Sequence, residues 1–215
     1  MIRPVIESGE AFSARARQVL LAEPEPLRRF GEPVLGDHRL PGFNPDPERI
    51  AQAVAAAVLV PVTFRAAGGG LILTERAQHL RKHSGQVALP GGRVDHGEAP
   101  LEAALREAEE EISLDRRHVM PLGYLPSYYT GTGFRIVPVV ALVAPDAPMQ
   151  PNPEEVGRVF EVPLSVLFDM SRYRLGSRLW EGRQRRFYEV DYPDAYIWGA
   201  TAALIRILYE RLVAA

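Results

Sequence analysis

Apolar positions recur along the chain with two different periods, and the changes of period divide it into elements. Near the N-terminus, Phe12, Ala16, Val19 and Leu20 fall at helical spacing between arginines, which predicts a short helix ending near Ala22. Pro24, Pro26, Pro33, Pro41, Pro45 and Pro47 then crowd one stretch. Proline fixes φ and removes a donor, so this stretch reads as an ordered arm or a linker. Residues 55–64 and 71–74 are apolar and β-rich, and Ala66-Ala67-Gly68-Gly69-Gly70 between them predicts a hairpin with a flexible connection. A short strand is expected over 86–89, then a loop forced by Pro90, Gly91 and Gly92, then a helix starting between Glu98 and Pro100. Leu101, Leu105, Ala108 and Ile112 form the buried stripe of that helix.

Further strands are expected over 120–125, 135–143, 158–162 and 187–191, with a short helix over 164–169. A last helix over 199–213 places Leu204, Ile205, Leu208 and Leu212 on one face. Strands interleaved with two substantial helices predict an α/β sandwich with a mixed β-sheet between helices. The expected organisation is an N-terminal helix and proline-rich arm over 1–48, packed on a domain over 49–215.

Composition changes this picture little. Hydrophobic residues make up 47% and charged ones 24%, as in ordinary globular chains. The formal charge of −2 gives no bulk pull toward nucleic acid or membrane, so any phosphate recognition must be local. With no cysteine, carboxylates and histidines are the remaining metal-ligand types, and a reducing cytoplasm is the expected compartment. The N-terminus lacks the apolar core of a signal peptide, and no apolar run reaches membrane-spanning length. The partner expected is a small molecule, bound by a monomer or homodimer.

The chemistry concentrates between Gly92 and Glu111, which read Gly92-x5-Glu98-x7-Arg106-Glu107-Ala108-x-Glu110-Glu111. On a helix, Glu107, Glu110 and Glu111 stand at i, i+3 and i+4, share a face and repel one another. They also lie toward the C-terminal end, where the helix dipole disfavours anions. Two unfavourable terms on one spot point to a compensating cation. The spacing resembles the Nudix box, G-x5-E-x7-R-E-U-x-E-E-x-G-U, where U is a bulky apolar residue. Two positions depart: Ala108 is small, and Ser113 stands where the box has glycine. If that position needs a positive φ, a side chain there costs about 1 kcal/mol relative to glycine.

The resemblance implies a Nudix-type α/β/α sandwich and a metal-dependent hydrolase of diphosphates. It assigns Glu107, Glu110 and Glu111 to Mg2+ or Mn2+ as hard oxygen ligands, with a backbone carbonyl at Gly92 completing part of the shell. Catalysis is expected to involve Glu107, Arg106 and Glu155. Arg106 orients a glutamate, while Glu98 fastens the loop to the helix. A carboxylate outside the box is a candidate general base, and Pro151-Asn152-Pro153-Glu154-Glu155-Val156 resembles the family's turn of that kind. Glu155 is the first candidate and Glu154 the second; the other reading is a plain acidic turn.

The segment before the box, Ile72-Leu73-Thr74-Glu75-Arg76-Ala77-x3-Arg81-x3-Gly85-x3-Leu89-Pro90-Gly91-Gly92, resembles the signature that marks coenzyme A diphosphatases among Nudix hydrolases. Ile72 and Leu89 depart from it, the latter standing in place of an aromatic ring. Arg76 and Arg81 are the expected substrate-binding residues, since guanidinium forks suit phosphate oxygens. His79 and His83 lie four apart but in an expected loop, and are read as exposed or phosphate-facing. The segment 128–134 either lines the substrate pocket with aromatic rings or is an ordinary hairpin loop. The resemblance implies cleavage of coenzyme A or its derivatives to 3',5'-ADP and (acyl-)4'-phosphopantetheine. The alternatives are another nucleoside diphosphate derivative such as ADP-ribose or a dinucleotide, and a catalytically silent nucleotide-binding module.

Overall fold

The computed structural model describes residues 7–25, 35–41, 47–80, 83–180 and 182–214. Two strands at its centre, β2 (Val54–Arg65) and β8 (Phe134–Val143), run parallel in unbroken register from Val54 opposite Phe134 to Thr63 opposite Val143. Both read as continuous apolar runs because both faces of each are covered. From β2, Ala57 and Leu59 project to one core and Val60 and Val62 to the other.

Around this pair the described residues form a mixed nine-stranded sheet of order β1-β7-β8-β2-β3-β4, with β5 on β2, β6 on β8 and β9 on β3. Here β1 is Leu35–Gly36, β3 Gly68–Arg76, β4 Val87–Ala88, β5 Gly91–Arg93, β6 Val119–Tyr124, β7 Tyr128–Tyr129 and β9 Val156–Pro163. The β2–β3 hairpin closes tighter than its glycines imply. Arg65 pairs with Gly68, so Gly68, Gly69 and Gly70 belong to the strand and only Ala66-Ala67 turns. Gly91 and Gly92 are likewise strand residues, paired antiparallel with Val58 and Ala57, where a loop was expected. A side chain at Gly91 would run into the Ala57 carbonyl and Val58 Cα, so the ladder closes this tightly only with glycine.

One face of the sheet carries α3 (Pro100–Ile112), which buries Ala103, Ala104, Leu105, Ala108 and Ile112. Three alanines let the helix axis come close to the strands. The other face carries α1 (Gly9–Val19) and α5 (Gly199–Ala214), with Phe12, Ala16, Leu204, Ile205, Leu208 and Leu212 in one shared core. The short helix α4 (Leu164–Leu167) packs there too, and α2 (Pro47–Ala51) leads into β2. The α/β class and helix–sheet–helix layering expected from the pattern are present.

A strand that the pattern missed is β10 (Tyr173–Trp180), which pairs along its whole length with β11 (Arg183–Val190) and continues to β12 (Ile197–Trp198). This second sheet joins the body through α5: Thr201 Oγ1 donates to the Val87 carbonyl at 3.1 Å.

Helix α3 ends at Ser113 with φ 55° and ψ 28°, its N–H donating to the Ala108 and Glu109 carbonyls. The position therefore does adopt the left-handed conformation that glycine takes without strain. Replacing Ser113 with glycine is expected to raise the unfolding free energy by up to about 1 kcal/mol. Urea denaturation would show this as a higher midpoint at unchanged slope.

Candidate active site

Arg106 organises the exposed side of α3. Its Nε and Nη2 grip both oxygens of Glu98 at 2.9 and 3.1 Å, and Nη2 also reaches the Arg93 carbonyl at 3.0 Å. Its Nη1 bonds Glu107 Oε1 at 2.9 Å and Glu110 Oε2 at 3.2 Å. One cation thus holds two of the three clustered helix glutamates and ties the helix to the end of β5. Glu98 in turn accepts from Asp95 N at 2.9 Å, closing the loop between strand and helix. Arg106 and that backbone N–H together hold the Glu98 carboxyl below its usual pKa.

Glu111 points inward and is only 4% exposed. Its Oε2 accepts from Gly91 N at 3.2 Å, and Arg76 Nη1 stands 4.0 Å from Oε1. Burial raises its pKa from 4.5 to about 7, opposed by the Gly91 N–H and Arg76, and reinforced by the negative charges of Glu107 and Glu155. Burial also raises Glu107, against the pull of Arg106. Gly92 lies directly under the Glu107 carboxylate, and a Cβ there would overlap it. The missing side chain is thus what allows this carboxylate to lie flat against β5.

Glu155 comes to the same place by another route. The turn before β9 is seated on the end of α3, with Asn152 N donating to the Glu111 carbonyl at 2.9 Å. The Glu155 carbonyl then accepts from Ala77 N at 2.9 Å, beside Arg76. The charge of Glu155 is felt by both Glu107 and Glu111, and Arg76 approaches Glu111 as well. Arg81 lies outside the described residues. His79 is exposed, with Nε2 3.2 Å from the Glu154 carbonyl, and His83 occupies a turn at φ 58°. Leu89 is 5% exposed within the core against α5, so its replacement of an aromatic ring is a matter of packing.

Of the two alternatives read from sequence for segment 128–134, the hairpin is the one present: β7 pairs antiparallel with the start of β8, Tyr128 opposite Ile136 and Tyr129 opposite Arg135, and residues 130–133 turn between them. Tyr128 and Tyr129 are a short strand, 3% and 2% exposed, so neither ring offers a free stacking surface. Sequence reasoning missed its partner. Asp37, from the proline-rich arm, accepts from the Tyr128 hydroxyl at 2.6 Å and from Gly131 N at 2.7 Å. No local pattern announces a pairing across such a separation in the chain.

The donor set suits a hard divalent cation. Among the described residues, no three carboxylates or histidines are gathered around one point. The oxygens that Arg106 does not hold, Glu107 Oε2 and Glu110 Oε1, carry no hydrogen bond from any described residue, and the buried Arg76 Nε has no hydrogen-bond partner. Buried Glu111 and half-buried Glu107, both with raised proton affinity, beside the unsatisfied Arg76 N–H are what a cation and a phosphate would together relieve.

The family model for the NUDIX domain matches residues 53–180. The chain belongs to the Nudix family. Proteins described as uncharacterized Nudix hydrolase NudL, from Salmonella newport and Salmonella enteritidis, are 44% identical over 154 residues, covering 71% of this chain and 80% of theirs. Among solved structures, DR0079 from Deinococcus radiodurans has a TM-score of 0.48 at 18% identity, covering 73% of this chain and 83% of that one. The Nudix hydrolase RenU from M. smegmatis has a TM-score of 0.45 at 24% identity, covering 53% and 72%. Nudix hydrolases act on diphosphate bonds of small nucleotide-like molecules and generally use divalent cations such as Mg2+ or Mn2+. No helix of the described residues is long and apolar enough to cross a membrane.

Two outcomes follow for the Nudix site without cation. Gly92→Ala should lower stability by about 1–3 kcal/mol, the usual range for overpacking, read as a drop in Tm. Between about pH 4.5 and 7, folded Glu111 retains a proton that the unfolded chain has released. Its contribution is therefore fully present below 4.5 and is lost as pH rises through 7. With chelator present, the stability of Glu111→Gln relative to wild type should rise by about 3 kcal/mol between pH 4 and pH 8 in urea titrations. A pH-independent difference would mean that Glu111 ionises as an ordinary glutamate.

Proposed function

We propose that this Nudix hydrolase cleaves the diphosphate of coenzyme A or its derivatives, giving 3',5'-ADP and (acyl-)4'-phosphopantetheine. The observation that carries this reading is Arg76, from the segment resembling the coenzyme A signature, whose Nη1 stands 4.0 Å from the buried Glu111 carboxylate. A guanidinium at that distance from a metal-ligand candidate, with its Nε lacking a hydrogen-bond partner, supports a role in binding diphosphate oxygens.

Glu107, Glu110 and Glu111, with the Gly92 carbonyl, are the residues assigned to Mg2+ or Mn2+. Bound there, the cation would neutralise the diphosphate and acidify the attacking water. Arg106 bridges Glu107 and Glu110 through its Nη1 and orients both. Glu155 is assigned the water proton: it is exposed, and its charge is close enough to perturb both Glu107 and Glu111. Arg81 is assigned the 3'-phosphate, which lies away from the diphosphate on the ribose. The arm over 1–48 belongs to the same functional unit as 49–215, a view supported by Phe12 and Ala16 in the core shared with α5. We place the protein in the cytoplasm, as a monomer or homodimer; the absence of cysteine supports that compartment.

With saturating Mg2+, Glu111→Gln should lower kcat by at least about a hundredfold while the protein stays folded. Full activity of that variant would remove the metal assignment. On dephospho-coenzyme A, wild-type kcat/KM should fall about tenfold relative to coenzyme A, and the gap should close in Arg81→Ala. Equal rates on the two substrates and on ADP-ribose would replace the coenzyme A reading with a broader nucleoside diphosphatase.

A further inference from the structure

Three elements meet at the start of β8. Asp37, in a 3-10 turn that follows β1, accepts from the Tyr128 hydroxyl through Oδ1 and from Gly131 N through Oδ2. Arg185 of β11 closes the third side, its Nη1 donating to the Gly131 carbonyl at 3.0 Å. Upstream, β1 pairs in parallel with β7, Leu35 opposite Tyr128 and Gly36 opposite Tyr129. Glu25 accepts from both the backbone N and the hydroxyl of Ser127 at 3.0 and 2.8 Å. The arm therefore grips residues 127–131 by backbone and side chain alike, and a Cβ at Gly131 would meet the Arg185 guanidinium and the Asp37 carboxylate that hold it.

What is gripped borders the diphosphate site. From Gly131 the chain runs two residues to Gly133, whose carbonyl receives the first N–H of β2, and then to Phe134, the first residue of β8. The guanidinium of Arg93 lies over the Phe134 ring at 6.0 Å, while the Arg93 carbonyl is held by Arg106. Arg93 thus touches the gripped loop with its side chain and, through its carbonyl, the Arg106 guanidinium that holds Glu107 and Glu110. Arg49 and Arg185 stand close enough to the Tyr129 hydroxyl to oppose the burial that raises its pKa. Guanidiniums bordering a loop beside a carboxylate-and-cation site make an approach suited to an anionic nucleotide. Asp37 and Arg185 both fall outside the residues 53–180 that match the family domain, so the clasp is an addition to the shared catalytic unit.

We propose that Asp37 is a positioning residue for the nucleotide substrate: by holding Tyr128 and Gly131 it fixes the loop up to Phe134 against Arg93, at the border of the diphosphate site. This rests on the function proposed above and adds a specificity element to it. Asp37 touches no reacting atom, so its loss acts on substrate affinity and leaves the bond-breaking step alone.

The test compares the full-length, Mg2+-loaded wild type with Asp37→Ala, Asp37→Asn and Tyr128→Phe. It reads amide hydrogen exchange at Gly131, and kcat and KM on coenzyme A and ADP-ribose. In Asp37→Ala, exchange at Gly131 should quicken and KM rise, each about tenfold, as for loss of a charge-assisted hydrogen bond. Turnover should stay within about twofold of wild type. Asp37→Asn keeps an acceptor for the Gly131 N–H and should recover part of both effects. Tyr128→Phe removes one hydroxyl, keeps the fold, and should move KM in the same direction by less. Faster exchange with unchanged KM, or lower kcat with unchanged KM, would overturn the positioning role. Unchanged exchange would overturn the clasp itself. If the wild type cleaved neither substrate, the proposed function would fall, and the calorimetric Kd for coenzyme A would take the place of KM in judging Asp37.

Discussion

The guanidinium of Arg106 is the constraint on which the rest of the site depends. Glu107, Glu110 and Glu111 would repel one another across little more than one turn of helix, at the end where the backbone dipole is least hospitable to them. Arg106 holds the first two from within the same helix, and its reach to Glu98 and to the Arg93 carbonyl converts that neutralisation into a tether between α3 and β5. Glu111 escapes this control and is stabilised differently, by the Gly91 N–H in the interior. The three carboxylates are consequently not equivalent. Glu110 is exposed and Glu107 half-buried, both held by a cation of the protein, while Glu111 is buried; burial raises the proton affinity of Glu107 and Glu111 alike.

That difference depends on backbone that can come close. Gly91 and Gly92 let β5 lie against β2, and the absent Cβ of Gly92 makes room for the Glu107 carboxylate. The alanines of α3 do the same from the helix side. Metal-site candidates, helix and sheet are thus packed at distances that larger residues would forbid, and the close packing is what desolvates Glu111 and Glu107.

Much of this was legible in the sequence because the box fixes several charged residues at spacings that few other structures would require. Strands β2 and β8 were equally plain, being apolar on both faces. Other elements were hidden for identifiable reasons. Gly91 and Gly92 carry no strand propensity and are strand only because β2 offers them a ladder. β10 contains Gly176 and Ser177 and exposes Leu175 and Leu179, so no alternation marks it; its partner β11 defines it. The burial of Tyr128 and Tyr129 is imposed by Asp37 and β1, which reach them from the far side of the chain. Glu155 was legible as a candidate, but its approach to Glu111 comes from the turn seated on the end of α3.

The parallel pairing of β2 with β8 also sets an order of assembly. Partners in that ladder lie about eighty residues apart in sequence, a long closure that local contacts cannot shorten. The box helix and both of its glycines lie inside the segment that this closure loops out. Until β8 arrives, β2 lacks one neighbour and α3 has only part of the sheet to rest on. A chain emerging from the ribosome therefore has its three clustered helix glutamates translated before β8, and Glu155 after it. The contacts that arrange the helix glutamates are local to that segment, whereas the sheet behind them is completed only across the closure.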